Sequence, residues 1–439
     1  MSGRKTSKAG LDAAEALFGL AVFLMPFYLP VIRVPAASPL DSQLLPIFQY
    51  ATFSLGEAVL VPAFVALVIF KPEQIFGGVR RAGIVIGLTI TLALISLLFS
   101  SGPFRPSLAW YSSGHLLLMA LLVTGLQVVN RQMITLAILG SISVNAVTGL
   151  VQYVLRAPFP FTEVGSSPLW YQDILLQRAV GLSGHPALLG ACAGAGLVVL
   201  LGRVAAREPD STLLETGLCG LVFLALCLSY DAVSLIATLV GLIVTIWGWS
   251  GELTLSTLWN RLRYPLVLIV MIASFFVVTQ GRVIAQHIES SDSPGSRLAY
   301  REAGSMLIGN PLTGVGGGGF FLSWETLIRN QSDLTDHRGE TVEARASAFL
   351  VAAAELGVAG GLIFLALSLL PLWSLAHLES PRTSCLSYWS WAGIGTSMLV
   401  MAFFHHTGWT LPQGMILYWL AWGVTSHYEG RLSIEGTTG

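Results

Sequence analysis

The chain has 439 residues, of which 54% are hydrophobic and 11% charged, with a formal net charge of −1. Soluble domains carry about 25% charged residues, so this much apolar surface excludes an ordinary water-soluble core, and the near-neutral balance gives no attraction to nucleic acid. A bilayer accommodates the composition, and residues 1–439 read as one polytopic membrane domain.

A helix needs about 20 mostly apolar residues to cross the hydrocarbon core. Arg4, Lys5 and Lys8 precede the first such run, Ala14–Ile32, which is longer than the core of a cleaved signal peptide and is read as a retained span despite the small residues at Pro35-Ala36-Ala37-Ser38. Spans are then predicted at Thr52–Phe70, Gly83–Phe99, Leu108–Val129, Met133–Leu155 and Pro186–Val204. Further spans follow at Leu214–Tyr230, Ala232–Trp249, Tyr264–Gln280, Ala346–Leu370, Leu386–Phe404 and Leu411–Thr425. The expectation is an all-α integral membrane fold of about twelve transmembrane helices. Placing the N-terminus inside puts Lys5, Lys8 and Lys71, which are all the lysines, together with Arg80, Arg81, Arg131, Arg203, Arg207, Arg261 and Arg263 on the cytoplasmic side.

Two outer loops are too long to be turns, 156–185 and 281–345, the latter between spans nine and ten. That position breaks a six-plus-six repeat and disfavours a two-halved transporter. Cys192, Cys219, Cys227 and Cys385 lack CxxC spacing and read as small buried hydrophobes.

Chemistry-bearing residues gather near those loops. Gln177-Arg178-Ala179-Val180-Gly181-Leu182-Ser183-Gly184-His185-Pro186 leads into span six, with Pro186 suited to a first helical turn. If that turn faces outward, its N–H groups and dipole would welcome an anion beside Arg178 and His185. An interfacial arginine anchor is the plain alternative. In the large loop, Arg297, Arg301 and Ser305 share one face of a predicted amphipathic helix, opposite Leu298, Ala299, Ala303, Met306 and Leu307. Two guanidiniums there would fit a diphosphate, or would merely be solvated or paired with Glu302. Asn310-Pro311-Leu312-Thr313-Gly314-Val315-Gly316-Gly317-Gly318-Gly319 follows, and lacks the Lys-Ser/Thr ending of a nucleotide P-loop. Glu57 and Glu355 lie within apolar spans, where carboxylates are costly and often functional; His115, His185, His405 and His406 lie near span ends. No spacing suggests a metal site.

The order of these features resembles the O-antigen ligase and polymerase superfamily: an Arg-x-x-Gly-x-x-Gly-His-Pro helix start, then Ser296-Arg297-Leu298, then Asn310-Pro311-Leu312-Thr313-Gly314-Val315-Gly316, and finally Phe349-Leu350 with Glu355-Leu356-Gly357. The resemblance implies a GT-C-like membrane glycosyltransferase of the bacterial inner membrane, its active site facing the periplasm and without metal or cofactor. Its donor would be an undecaprenyl-diphosphate-linked oligosaccharide and its acceptor a glycan or lipid-linked glycan. It further implies that Arg178 and Arg297 face the diphosphate, and that Glu355 matches a family acidic position. Family ligases carry a His-Asn pair just before the Phe-Leu; here Arg345-Ala346-Ser347-Ala348 stands in its place. His337 is then the first candidate base, with Glu343, Asp336 or Glu340 as carboxylate substitutes, and the missing pair favours a polymerase over a ligase. A lipid or polysaccharide transporter, or a non-catalytic assembly partner, is the rival reading.

Overall fold

The computed structural model describes residues 8–35, 50–98, 106–156, 168–171, 174–206, 213–250, 253–290, 294–320, 323, 346–376, 386–405, 409, 414 and 416–424. Helices dominate. Helix α1 (Lys8–Leu24) ends two residues before Pro26, and the chain continues as strand β1 (Pro30–Pro35), so the helical part of the first expected span stops short of Ile32. β1 pairs antiparallel with β2 (Tyr50–Ser54), Arg33 lying opposite Thr52.

Ser54 then starts α2 (Leu55–Phe70) with a capping box: the Glu57 N–H donates to Ser54 Oγ at 3.3 Å and the Ser54 N–H to Glu57 Oε2 at 2.8 Å. Pro72 cannot continue α2 and instead occupies the first turn of α3 (Pro72–Arg81), so the chain bends by 111°. α3 is amphipathic, burying Ile75 and Gly78 and ending on Arg80 and Arg81. Next come α4 (Gly83–Leu98), α5 (Pro106–Leu126) and α6 (Arg131–Leu155), the last capped by Asn130. Strands β3 (Pro168–Tyr171) and β4 (Ile174–Gln177) form a second small hairpin.

α7 (Pro186–Ala206) is the centre of the molecule, buried on nearly every side. Around it stand α6, α8 (Leu213–Leu228), α9 (Ala232–Trp249) and α13 (Leu386–Phe404). Small residues set these approaches: Gly190 and Gly194 of α7 lie against Ser234 and Thr238 of α9, Gly202 lies against Ser390 of α13, and Gly241 of α9 lies against the Gly393 carbonyl of α13. Lipid supplies no hydrophobic contrast between helices, so close backbone contact of this kind is what holds them. On the outside, α10 (Leu255–Ser290) exposes Val270, Met271, Phe275, Val277 and Val278, an apolar surface fit for acyl chains. α11 (Pro294–Gly309) packs on α12 (Ala348–Ala376), which also touches α4. Residues 416–424 are helical, and Tyr418, Trp419 and Trp422 pack with Phe364 and Trp409 as an aromatic cluster.

Among the described residues, five helices are long and apolar enough to cross a membrane, or six if the bent α2–α3 pair is one span. Three shorter apolar stretches, Gly83–Leu98, Ser112–Leu126 and Leu213–Leu228, accompany them. Among the described residues the protein is predominantly helical, with two short hairpins, and its apolar helices are those of a multi-pass membrane protein.

Candidate functional site

The turn carrying Arg178 and His185 is pinned from α6 by two amides. Gln152 Oε1 accepts from the N–H groups of Val180 (3.1 Å) and Gly181 (2.8 Å), while its Nε2 donates to the Gly181 carbonyl at 2.8 Å. Asn145 Oδ1 accepts from the Leu182 N–H at 2.6 Å, and Asn145 Nδ2 donates to Ser183 Oγ. Both amides are buried inside an apolar helix, where an unpaired amide would be expensive, so they fix the turn's shape.

His185 serves this turn from within. Its Nδ1 accepts the Ala187 N–H at 3.2 Å, and its carbonyl takes the N–H groups of Leu188 (3.1 Å) and Leu189 (3.0 Å); Pro186 has none to give. Residues 186–189 are buried. The expectation that the start of this helix offers its N–H groups to an anion is therefore corrected: those donors are engaged by His185.

Arg178 is also buried, 5% exposed, and its Nε donates to the Ser229 carbonyl at 3.0 Å. Beside it, Asp231 caps α9, its Oδ2 accepting from the Ser234 N–H at 3.0 Å, while Oδ1 lies 3.4 Å from His405 Nε2 at the end of α13. Burial pushes the Asp231 carboxyl up, but His405, Ser234 and the Arg178 guanidinium outweigh it and hold it well below the usual carboxylate range. The C-terminal ends of α8 and α13 and the N-terminal end of α9 thus bring Arg178, Asp231 and His405 into one buried polar cluster. Asp231 went unnoticed in the sequence because a lone aspartate before an apolar run reads as a helix cap. Asn145 and Gln152 left a signal that was missed: polar side chains in the middle of an apolar span.

The glycine-rich segment after α11 docks on a break in α12. The Val315 N–H donates to the Ala354 carbonyl (2.9 Å), Gly316 N–H to the Glu355 carbonyl (2.8 Å) and Val358 N–H to the Pro311 carbonyl (2.8 Å). α12 is interrupted at Gly357, where φ is 76° and ψ 176°. Gly314 faces it with φ 65°, and a Cβ there would come within 2.2 Å of the Glu355 carbonyl oxygen. Both positions need glycine, for conformation and for room. The Glu355 side chain completes the joint. Oε1 accepts the Phe320 N–H at 3.3 Å, Oε2 accepts Trp409 Nε1–H at 3.0 Å, and the Gly318 N–H bonds the same carboxyl group. Glu355 is 2% exposed and holds loop to helix. Gly317 rests against Ser112 of α5 and Ser96 of α4, which brings in the buried pair of Glu57 and His115, the ring of His115 stacked on Phe53 at 4.8 Å.

α11 leads into this loop. It buries Ala299, Ala303 and Met306 and exposes Arg297, Arg301 and Ser305. Tyr300 Oη donates to the Phe403 carbonyl at 3.3 Å, two residues from His405, and burial holds its phenol above the ordinary value. Glu302 accepts from Ser323 Oγ at 2.5 Å, so it is engaged away from Arg301. His337, Asp336, Glu340 and Glu343 lie outside the described residues. Among those described, no three His, Cys, Asp or Glu side chains converge as metal ligands would.

Residues 217–365, from α8 through the break in α12, match a family model described as O-antigen ligase. The match, over about a third of the chain, supports the resemblance to the O-antigen ligase and polymerase superfamily. No curated protein matches the chain.

Proposed function

We propose that this protein transfers a glycan from an undecaprenyl-diphosphate carrier to an acceptor sugar, as a metal-independent glycosyltransferase of surface polysaccharide assembly, polymerase rather than ligase. It crosses the inner membrane about twelve times with the reacting centre on the periplasmic face. The observation that carries this reading is α11: Arg297 and Arg301 stand one turn apart, both exposed, on a helix whose following loop is clamped by the buried Glu355. Guanidiniums stay charged at any working pH and match phosphate oxygens two at a time.

In this scheme a base takes the proton of the acceptor hydroxyl, whose oxygen attacks the anomeric carbon. The bond from that carbon to the diphosphate breaks, and the lipid diphosphate leaves with the electron pair. Arg297 and Arg301 stabilise the charge that grows on it. Arg178 adds positive potential from the pinned turn, and His185 keeps that turn in register. His337 is the proposed base, with Glu343 as its carboxylate alternative. Glu355 acts by positioning the glycine-rich loop.

The test supplies purified protein with a synthetic lipid-diphosphate oligosaccharide and an acceptor glycan. Longer glycan together with released lipid diphosphate is expected. Intact donor moved across proteoliposomes with no release would overturn the reading in favour of a transporter.

A further inference from the structure

The exposed face of α11 changes chemistry along its length. At about 100° per residue, Ile308 lies on the line of Arg297 and Arg301, about 20° round from each, and about 10 Å beyond Arg301 along the axis. Both guanidiniums are exposed, and neither has a hydrogen-bond or ion-pair partner among the described residues; the neighbouring Glu302 accepts from Ser323 instead. Ile308 and, just past the helix end, Leu312 are each 82% exposed.

The apolar line continues on α12. The Val358 N–H donates to the Pro311 carbonyl at 2.8 Å, which sets the backbone of Leu312 beside that of the exposed Val358. Past the break at Gly357, the exposed Val358, Leu362 and Leu369 recur at helical spacing, so one apolar stripe runs about 16 Å along this helix. With the lysines inside, the stripe starts on the outer side, where the glycine-rich loop docks, and descends into the bilayer.

A ligand matching this surface has an anionic head with several oxygens, joined directly to one long hydrocarbon chain. A glycerophospholipid sets a glycerol backbone between a single phosphate and two chains. A prenyl diphosphate joins two phosphates straight to one chain, and it fits better. We propose that the α11–α12 face is the docking track of a polyprenyl diphosphate, its phosphates on Arg297 and Arg301, its first isoprene units over Ile308 and Leu312, and the rest of the chain along Val358 and Leu362. Bilayer tails are as apolar as leucine, so the stripe gives the chain its direction while the guanidiniums supply the affinity. The inference rests on the glycan-transfer reading and assigns the place of the donor's lipid.

Photo-crosslinking of the full-length protein in phosphatidylglycerol-containing proteoliposomes tests this, with undecaprenyl diphosphate as the probe and adducts identified by mass. Benzoylphenylalanine replaces, one at a time, Ile308, Leu312, Leu362 and, as a control on the exposed side of α10, Val278, which is 85% exposed. Prenyl adducts are expected at the three track positions well above Val278. Arg297→Gln combined with Arg301→Gln lowers them about tenfold or more, the usual effect of losing a charged hydrogen bond. Excess phosphatidylglycerol leaves them unchanged. Equal prenyl labelling at Leu362 and Val278, or labelling indifferent to the arginine pair, overturns the proposal. Phospholipid adducts alone at the track overturn it in favour of bulk lipid. If the double variant does not fold, the comparison with Val278 decides alone. Glycan transfer by the same membranes separates the two readings: transfer without track labelling refutes the track only, and track labelling without transfer refutes the transfer only.

Discussion

Glu355→Gln tests the joint between the glycine-rich loop and the broken helix. Both carboxyl oxygens of Glu355 accept, Oε1 from the Phe320 N–H and Oε2 from the Trp409 indole N–H. Glutamine has the same size but presents an NH₂ to one of them, setting donor against donor. A buried donor left unpaired costs about 1–3 kcal/mol. If that amount comes off the opening free energy of the loop, amide exchange there speeds up about 5- to 150-fold, since 1.4 kcal/mol is a factor of ten. Hydrogen exchange read by mass spectrometry over residues 311–320 measures it directly, alongside glycan transfer by the same preparation. The expected result is faster exchange in this segment together with reduced transfer. Exchange unchanged while transfer is abolished would refute the reasoning, and would make Glu355 a group that meets substrate.

Gly314→Ala introduces a Cβ 2.2 Å from a carbonyl oxygen at positive φ, and should lower thermal stability by at least the ~1–3 kcal/mol of such backbone strain. Asp231→Asn leaves His405 and Arg178 buried without their carboxylate, and should cost about 3–5 kcal/mol in unfolding experiments, partly recovered by adding His405→Gln. Arg297→Lys and Arg301→Lys sit on an exposed face and should keep the fold, yet reduce transfer about 10- to 150-fold by losing the guanidinium fork. Under saturating donor, His337→Ala should lose turnover while Glu343→Gln retains it; the reverse pattern transfers the base to the carboxylate.

What the sequence determined by itself is whatever depends on near neighbours along the chain. Apolar runs of spanning length, proline at the start of α7, and the 297–301–305 spacing all follow from helical geometry and hydropathy within a turn or two. The family resemblance was legible for the same reason, because its features are short strings in a fixed order. Only the tertiary structure decided what Glu355 does, since its partners come from residues 318–320 and from Trp409. It also decided the break at Gly357, in a stretch whose hydropathy reads as one unbroken span, because the cause of the break is a loop arriving from residues 311–316. Arg178, Asp231 and His405 meet because α8, α9 and α13 end at the same level around α7. That level is set by where small residues let helix backbones approach, a property of pairs of helices that neither sequence segment states alone.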